Sequence, residues 1–365
     1  VNLVFWQNIL SPHQVPYIRE LKRSGHDVTI VADERISLSR SRMGWEAPNS
    51  GDVKVIIGPS KLETTNFIHA CASDTVHVMA GARLTELGAL ACQEVVKSNA
   101  RLGIISESPD PRGCRFYLRR SKYILERLTR GRHFDFVLGM GRKGTDWFQS
   151  CGYSKKRVFE FSYVVDEQVP ETHVSENSFV RLLYVGQLIK RKGLDTLLYA
   201  LAATPKELKL DIVGDGPQRS QLVSLAERLH ISDQLTWHGS LNSVAARHKM
   251  SNCDALILPS YHDGWGAVVN EALCSGTPVI CSDGCGASSL LTREQIGVTF
   301  PAGNVDLLRE KIISAVQKGP VNRRQRAEIV NWYAKASPTS VAEYFSAIMS
   351  HTYLSATRPN VPWAQ

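Results

Sequence analysis

No apolar run in this chain approaches the roughly 20 residues that a membrane-spanning helix needs, so no such helix is expected. Low-complexity tracts are absent too, and 43% hydrophobic with 21% charged residues is the composition of a folded protein. Cysteine is scattered, at 71, 92, 114, 151, 253, 274, 281 and 285. None of these forms a C-x-x-C pair, which argues against a zinc site and for a reduced, cytosolic setting. The N-terminal "VNLVFWQNIL" lacks the cationic n-region of a signal peptide and reads as a first buried strand. The remainder is a chain of 365 residues, too long for one ordinary core, which predicts two domains. Its net charge of +8 suits an anionic ligand or an anionic membrane surface.

Strand and helix patterns alternate, twice over. In the first half "NLVFW", "DVTIVAD", "VKVIIG", "TVHVMA", "RLGIIS" and "DFVLGM" are short runs rich in Val and Ile, with amphipathic stretches such as "HQVPYIRELKRSG" between them. In the second half "VRLLYVG", "LKLDIVG", "QLTWHG", "CDALILPS" and "TPVICSD" read as strands. "LDTLLYALAA", "QRSQLVSLAERLH", "SVAARHKM" and "GAVVNEALCSG" are the helices between these. This order predicts parallel βαβ units and doubly wound sheets, an α/β fold. The polar, aperiodic stretch 166–179 contains Pro170 and marks a linker. The expected domains are therefore 1–168 and 180–337, joined by a linker at 169–179. A C-terminal helix and tail at 338–365 is expected to cross back to the first domain. Two such domains would enclose a cleft at the carboxyl ends of their strands.

Three glycine-bearing loops of the second half carry the candidate chemistry. After "LLYVG", Gly186 leads through Gln187 to Lys190, Arg191, Lys192 and Gly193. Three cations at a strand-to-helix turn make a phosphate clamp, helped by the N–H groups of the following helix. Without its context the same turn is simply a solvated basic face. "DIVGDGPQ", with Gly214 and Gly216, is by itself an ordinary strand-to-helix loop. The third loop, "DGWGAVVNEALCSG", begins at Asp263. Gly264 and Gly266 let backbone amides approach a ligand, and a helix starting near Gly266 would aim its first N–H groups at a diphosphate. Glu271, more than a turn into that helix, would reach a ribose or sugar hydroxyl. The alternative is that Asp263 caps the turn and Glu271 pairs with a neighbouring cation.

Strand–"PS"–loop–acid–G-x-G–x3–"EALCSGTPVI" resembles the E-x7-E signature of retaining glycosyltransferases of family 4, which have the GT-B fold. "YVGQLIKRKGLDTLLYAL", "IVGDGP", "LTWHGSL" and "TPVICSDGCGASSLL" follow in the family's order, so the resemblance covers most of 180–315. It implies two Rossmann-like domains facing a central cleft. It further implies a donor site in which Lys192 binds the phosphates and the backbone of Gly264, Trp265, Gly266 and Ala267 holds the diphosphate. In that site Glu271 takes the ribose, Asp263 touches the transferred sugar, and His238, at the "WHG" loop, lies near the base. Gly186, Gln187, Arg191 and Gly214 complete the donor-binding set, with Lys192, Glu271 and Asp263 as the catalytic residues. The implied reaction moves a hexose-type sugar, with retention, from a nucleotide-diphosphate sugar (UDP- or GDP-linked) to a glycan or lipid-linked acceptor, in cell-surface polysaccharide or glycoconjugate synthesis. No cofactor is implied, nor a metal, and no D-x-D pair occurs in the chain. Two departures bear on the sugar: Asp263 stands where the family usually has Glu, and Gln187 where it commonly has Arg, with Arg191 or Lys190 as compensation.

The first half matches this pattern less well. "WQNILSPHQ" replaces the family's Gly-Gly loop, leaving His13 and Gln14 as acceptor-side candidates, while Glu107 in "IISESPD" stands where relatives carry a polar residue. A purely structural His13 is the competing reading. Residues 112–132 hold eight Arg/Lys against one Glu, with Tyr117, Leu118, Ile124, Leu125 and Leu128 at helical spacing. The segment reads either as a peripheral contact with an anionic membrane at the inner face of the cell membrane, or as a core-packed helix with a solvated face. Nucleic acid is not an expected partner. Gly139-Met140-Gly141-Arg142-Lys143-Gly144 spells G-x-G-x-x-G, the mark of an NAD-linked oxidoreductase, but it comes late in its domain and before a short polar stretch. A non-catalytic sugar-binding protein of the same fold is the other rival.

Overall fold

The Val- and Ile-rich runs lack the alternation of a half-exposed sheet, as expected of parallel strands covered on both faces. In the computed structural model, which describes residues 1–41, 46–81, 85–113, 115–166, 179–204 and 208–364, they form two parallel sheets. The expected linker at 169–179 lies outside the described residues except for Phe179. One compact unit takes residues up to Asp166 together with the C-terminal stretch from Ala336; the other runs to Lys335.

The first unit carries β1 (Asn2–Ile9), β2 (Asp27–Glu34), β3 (Lys54–Ile57), β4 (Val76–Ala80), β5 (Arg101–Ser106), β6 (Phe136–Met140) and β7 (Val158–Phe161). Their order is β3-β2-β1-β4-β5-β6-β7, with Phe5 opposite Ile30 on one side and Val78 on the other. One face of this sheet buries Trp6, Met79, Val137 and Phe148. On the other, Phe345 of the helix Pro338–Leu354 meets Phe5 at 5.7 Å, Phe136 at 6.2 Å and Phe161 at 6.3 Å between ring centroids. Burying one such ring is worth about 2–3 kcal/mol, which is how a C-terminal helix becomes part of the first core. Beyond it Trp363 is buried and donates its indole N–H to Glu160 at 3.2 Å.

The second unit carries β8 (Val180–Val185), β9 (Leu208–Val213), β10 (Leu235–Gly239), β11 (Ala255–Leu258), β12 (Val279–Ser282) and β13 (Gly297–Phe300), in the order β10-β9-β8-β11-β12-β13. Leu182, Leu197, Leu210, Ile257 and Ile280 lie in its core.

All eleven runs read as strands are strands. β7 and β13 are not among them: "VFEF" carries Glu160, and "GVTF" carries Gly297 and Thr299, so neither shows a Val- and Ile-rich run. The G-x-G-x-x-G stretch also departs from expectation. Its helix, Gly141–Ser150, starts inside the motif and buries Trp147 and Phe148, so it is not a short polar stretch. A Cβ on Gly139 would stand 2.7 Å from the Gly144 carbonyl carbon, so these two glycines let strand and helix touch. No described helix is long and apolar enough to cross a membrane.

Candidate active site

In the second sheet the strand order reverses between β8 and β11, and ligands of open parallel sheets bind outside the carboxyl ends of strands at such a switch. Both loops leaving these two strands carry candidate residues. After β8 the chain makes a 3-10 turn at Lys190–Lys192 and leaves it through a left-handed Gly193. Tyr261, in the loop after β11, donates its N–H to the Arg191 carbonyl at 2.9 Å, which ties the two loops together. Across that seam the Lys192 ammonium donates to one Asp263 oxygen. Arg191 donates to the other at 3.4 Å and to the His262 carbonyl at 3.0 Å. The Asp263 and Lys192 side chains are only 13% and 15% exposed, a setting in which a charge pair is worth more than at the open surface. Lys190 behaves differently. It pairs with Asp195 and lies 5.5 Å from the centre of the Tyr261 ring, so Arg191 rather than Lys190 is the cation joining Lys192.

The surrounding backbone is closely fitted. Gly214 has φ +132°, and a Cβ there would lie 1.9 Å from the Gly186 carbonyl oxygen, so the loops after β8 and β9 pass too closely for any side chain. Gln187 is exposed, and its carbonyl accepts the Tyr184 hydroxyl at 3.0 Å. Asp263 is held on both sides: its N–H donates to Gly284 O and its carbonyl accepts from Gly286 N–H, each at 3.1 Å.

Trp265 is 1% exposed, and its indole N–H donates to Asn270 at 2.7 Å, so its side chain belongs to the core and the expectation rests on its backbone alone. One expectation needs correction here. The helix is Val268–Cys274, preceded by Ala267, so it starts two residues after Gly266 and Glu271 is its fourth residue, within the first turn. Loss of solvent pushes the Glu271 carboxyl up to about 7, against the pull of the Arg247 cation. Arg247, in the helix Ser243–Ser251, was not among the sequence candidates.

The His238 ring is engaged by Asp211 at 2.7 Å, in a charged cluster with Lys249 at 3.9 Å and Arg181 at 4.0 Å from the same carboxylate. This cluster shares no residue with the Asp263 pair. The hydroxyls of Ser260 and Ser289, in the loops after β11 and β12, are buried without a hydrogen-bond partner among the described residues. Position alone, just past a strand's carboxyl end, would have flagged Ser260.

In the first unit the three acceptor-side candidates converge on a residue the sequence did not single out, Tyr163. His13 stacks on it with ring centroids 6.2 Å apart. Gln14 hydrogen-bonds its hydroxyl, and the Glu107 charge acts on it. Gln14 is buried and accepts from the Gln7 side chain at 3.2 Å, while Glu107 is exposed. Burial and the nearby Arg40 cation push His13 down to about 4, so the ring is neutral near pH 7.

The helix Arg115–Leu128 is turned the opposite way from a core-packed helix. Tyr117 (74% exposed), Leu118, Ile124, Leu125 (62% exposed) and Leu128 face out, while Tyr123 faces the core. Glu126, the one acid of the helix, is pushed up to about 7 by burial, opposed by Arg130.

Residues 166–331 match the family model for glycosyl transferases group 1. TuaC of Bacillus subtilis (strain 168), named for teichuronic acid biosynthesis, is 36% identical over 113 residues, covering 31% of this chain and 27% of that protein. The lipopolysaccharide glucosyltransferase WaaG of Escherichia coli (strain K12) is 30% identical over 159 residues, covering 42% of this chain and 41% of that protein. Each match spans less than half of the relative's length. Among solved structures, Anabaena Alr3699/HepE in complex with UDP superposes with a TM-score of 0.72 at 13% identity, covering 96% of this chain and 100% of that one. This chain shares the GT-B architecture of that group.

Proposed function

With residues 166–331 belonging to the glycosyl transferases group 1, we propose that this chain is a retaining glycosyltransferase. It moves a hexose-type sugar from a nucleotide-diphosphate sugar to a glycan or lipid-linked acceptor in polysaccharide or lipopolysaccharide synthesis. The observation that carries this reading is the convergence of Lys192 and Arg191 on Asp263 at the switch point of the second sheet. Two cations and a closely fitted backbone suit a diphosphate, and the UDP carried by the similar HepE structure supports a nucleotide there. Glu271, in the first turn of its helix, takes the ribose hydroxyls.

The chemistry follows from charge. As the sugar–phosphate bond loosens toward an oxocarbenium-like state, negative charge grows on the leaving diphosphate, where Lys192, Arg191 and backbone N–H groups stabilise it without a metal. The leaving phosphate oxygen takes the proton of the incoming hydroxyl. Asp263, released to the sugar, accepts its hydroxyls. In the first unit a neutral His13 with Gln14, Tyr163 and Glu107 orients the acceptor. The outward apolar face of 115–128, with the exposed Lys122 beside it, rests on an anionic membrane, where a lipid-linked acceptor would be met.

A calorimetric panel of UDP, GDP and ADP, then of their sugars in a transfer assay with and without EDTA, tests this reading. One nucleotide is expected to bind, and Lys192→Ala is expected to weaken it at least about tenfold. Absence of binding by all three nucleotides and absence of any transfer would refute the donor site.

A further inference from the structure

The contacts of Asp263 point to a task separate from touching a sugar. Its carboxylate is the shared partner of the two cations that the donor phosphates would need: Lys192 on one oxygen and Arg191 on the other. A diphosphate is itself an anion. In a partly buried site it competes with the carboxylate for the Lys192 ammonium, because two anions at one cation repel each other.

The neighbourhood is built so that only the side chain need move. The Asp263 backbone is anchored on both sides, by its N–H to Gly284 O and by Gly286 N–H to its carbonyl. Arg191 has a second, independent acceptor in the His262 carbonyl at 3.0 Å, which keeps its guanidinium in place when the carboxylate leaves. The third cation of the turn, Lys190, turns the other way and pairs with Asp195, itself 3.5 Å from a Tyr261 hydroxyl that also accepts from Thr196 at 2.9 Å.

We propose that Asp263 is a resident anion: it holds Lys192 and Arg191 in place in the free enzyme and is exchanged by the donor diphosphate, which frees its carboxylate for the transferred sugar. This rests on the donor-site reading above. Its distinguishing consequence is one of sign. A residue that merely binds donor, or merely props up the loop, weakens phosphate binding when neutralised; a resident anion strengthens it.

Inorganic pyrophosphate is the probe, titrated calorimetrically into the full chain and its variants. Asp263→Asn keeps the shape and removes the charge, and is expected to bind pyrophosphate roughly five- to tenfold tighter. Asp263→Glu, which keeps the charge, stays within about twofold of the natural chain. In a Lys192→Ala background the gain from Asp263→Asn disappears, because the cation being competed for is gone. A natural chain that binds pyrophosphate, with Asp263→Asn binding it equally or more weakly, overturns the proposal and leaves the donor site standing. A natural chain that binds neither pyrophosphate nor any nucleoside diphosphate overturns the donor-site reading and this exchange with it.

Discussion

Replacing Glu271 by Gln keeps the shape of the side chain and removes its charge, and its effect has a definite pH signature. The folded carboxyl sits at about 7 against an ordinary 4.5, because burial disfavours the ionised form. Below pH 4.5 both folded and unfolded chains hold the proton, and the residue contributes no penalty. As pH rises from 4.5 to about 7 the unfolded chain ionises first while the folded one does not, so folding stability falls. A gap of about 2.5 units at about 1.36 kcal/mol each gives about 3 kcal/mol, fully developed above pH 7. Solvent at the partly exposed edge of the side chain trims this figure. Glu271→Gln carries no such penalty, so its stability relative to the natural chain should improve by up to about 3 kcal/mol between pH 4.5 and pH 8, read by urea unfolding of the second unit. The same group should report the ligand. Ribose hydroxyls donate to the ionised carboxylate, so nucleotide binding at pH 6.5 should release about 0.8 proton per molecule, falling to about 0.1 at pH 8. Calorimetry in buffers of different ionisation enthalpy measures this, and Glu271→Gln should abolish the release. A pH-independent stability difference, or equal proton release by both proteins, would refute the burial argument.

Two further outcomes are expected. Gly214→Ala places a Cβ 1.9 Å from the Gly186 oxygen at φ +132°, which should cost at least about 2 kcal/mol and lower both the melting temperature of the second unit and nucleotide binding; an unchanged melt would contradict the close approach. The natural chain should co-sediment with vesicles rich in phosphatidylglycerol but not with pure phosphatidylcholine. Leu125→Glu should abolish that and leave nucleotide binding intact, whereas binding unchanged by Leu125→Glu would dismiss the outward face of 115–128 as the contact.

Much of the fold was legible because parallel strands buried on both faces leave dense Val and Ile runs, and because the glycines and cations of "GQLIKRKG" and "DGWG" stand next to strand ends. β7 and β13 were not legible: "VFEF" and "GVTF" break their apolar runs with Glu160 and with Gly297 and Thr299. The site was legible as a set of loops but not as a set of contacts. Lys190, Arg191 and Lys192 are consecutive and chemically alike, yet one turns to Asp195 and two turn to Asp263. Trp265 lies in the "DGWG" loop, and a partner five residues on, Asn270, draws its indole into the core.

By itself the sequence determined eleven of the thirteen described strands, where the loops that bear chemistry lie, and which residue types fill them, since these depend on local pattern and on the reach of a few residues. Tertiary structure alone decided the rest. Tyr163 gathers the adjacent pair His13 and Gln14 and the distant Glu107, from two separate places in the chain. The helix 115–128 shows its leucines outward although its pattern fits a buried face equally well, because periodicity defines a face without saying what that face meets. Asp263 faces two cations some seventy residues away, and Glu271 gives up most of its solvent. Charge, burial and partner are properties of a place in space, and the chain acquires them only when distant loops close on one another.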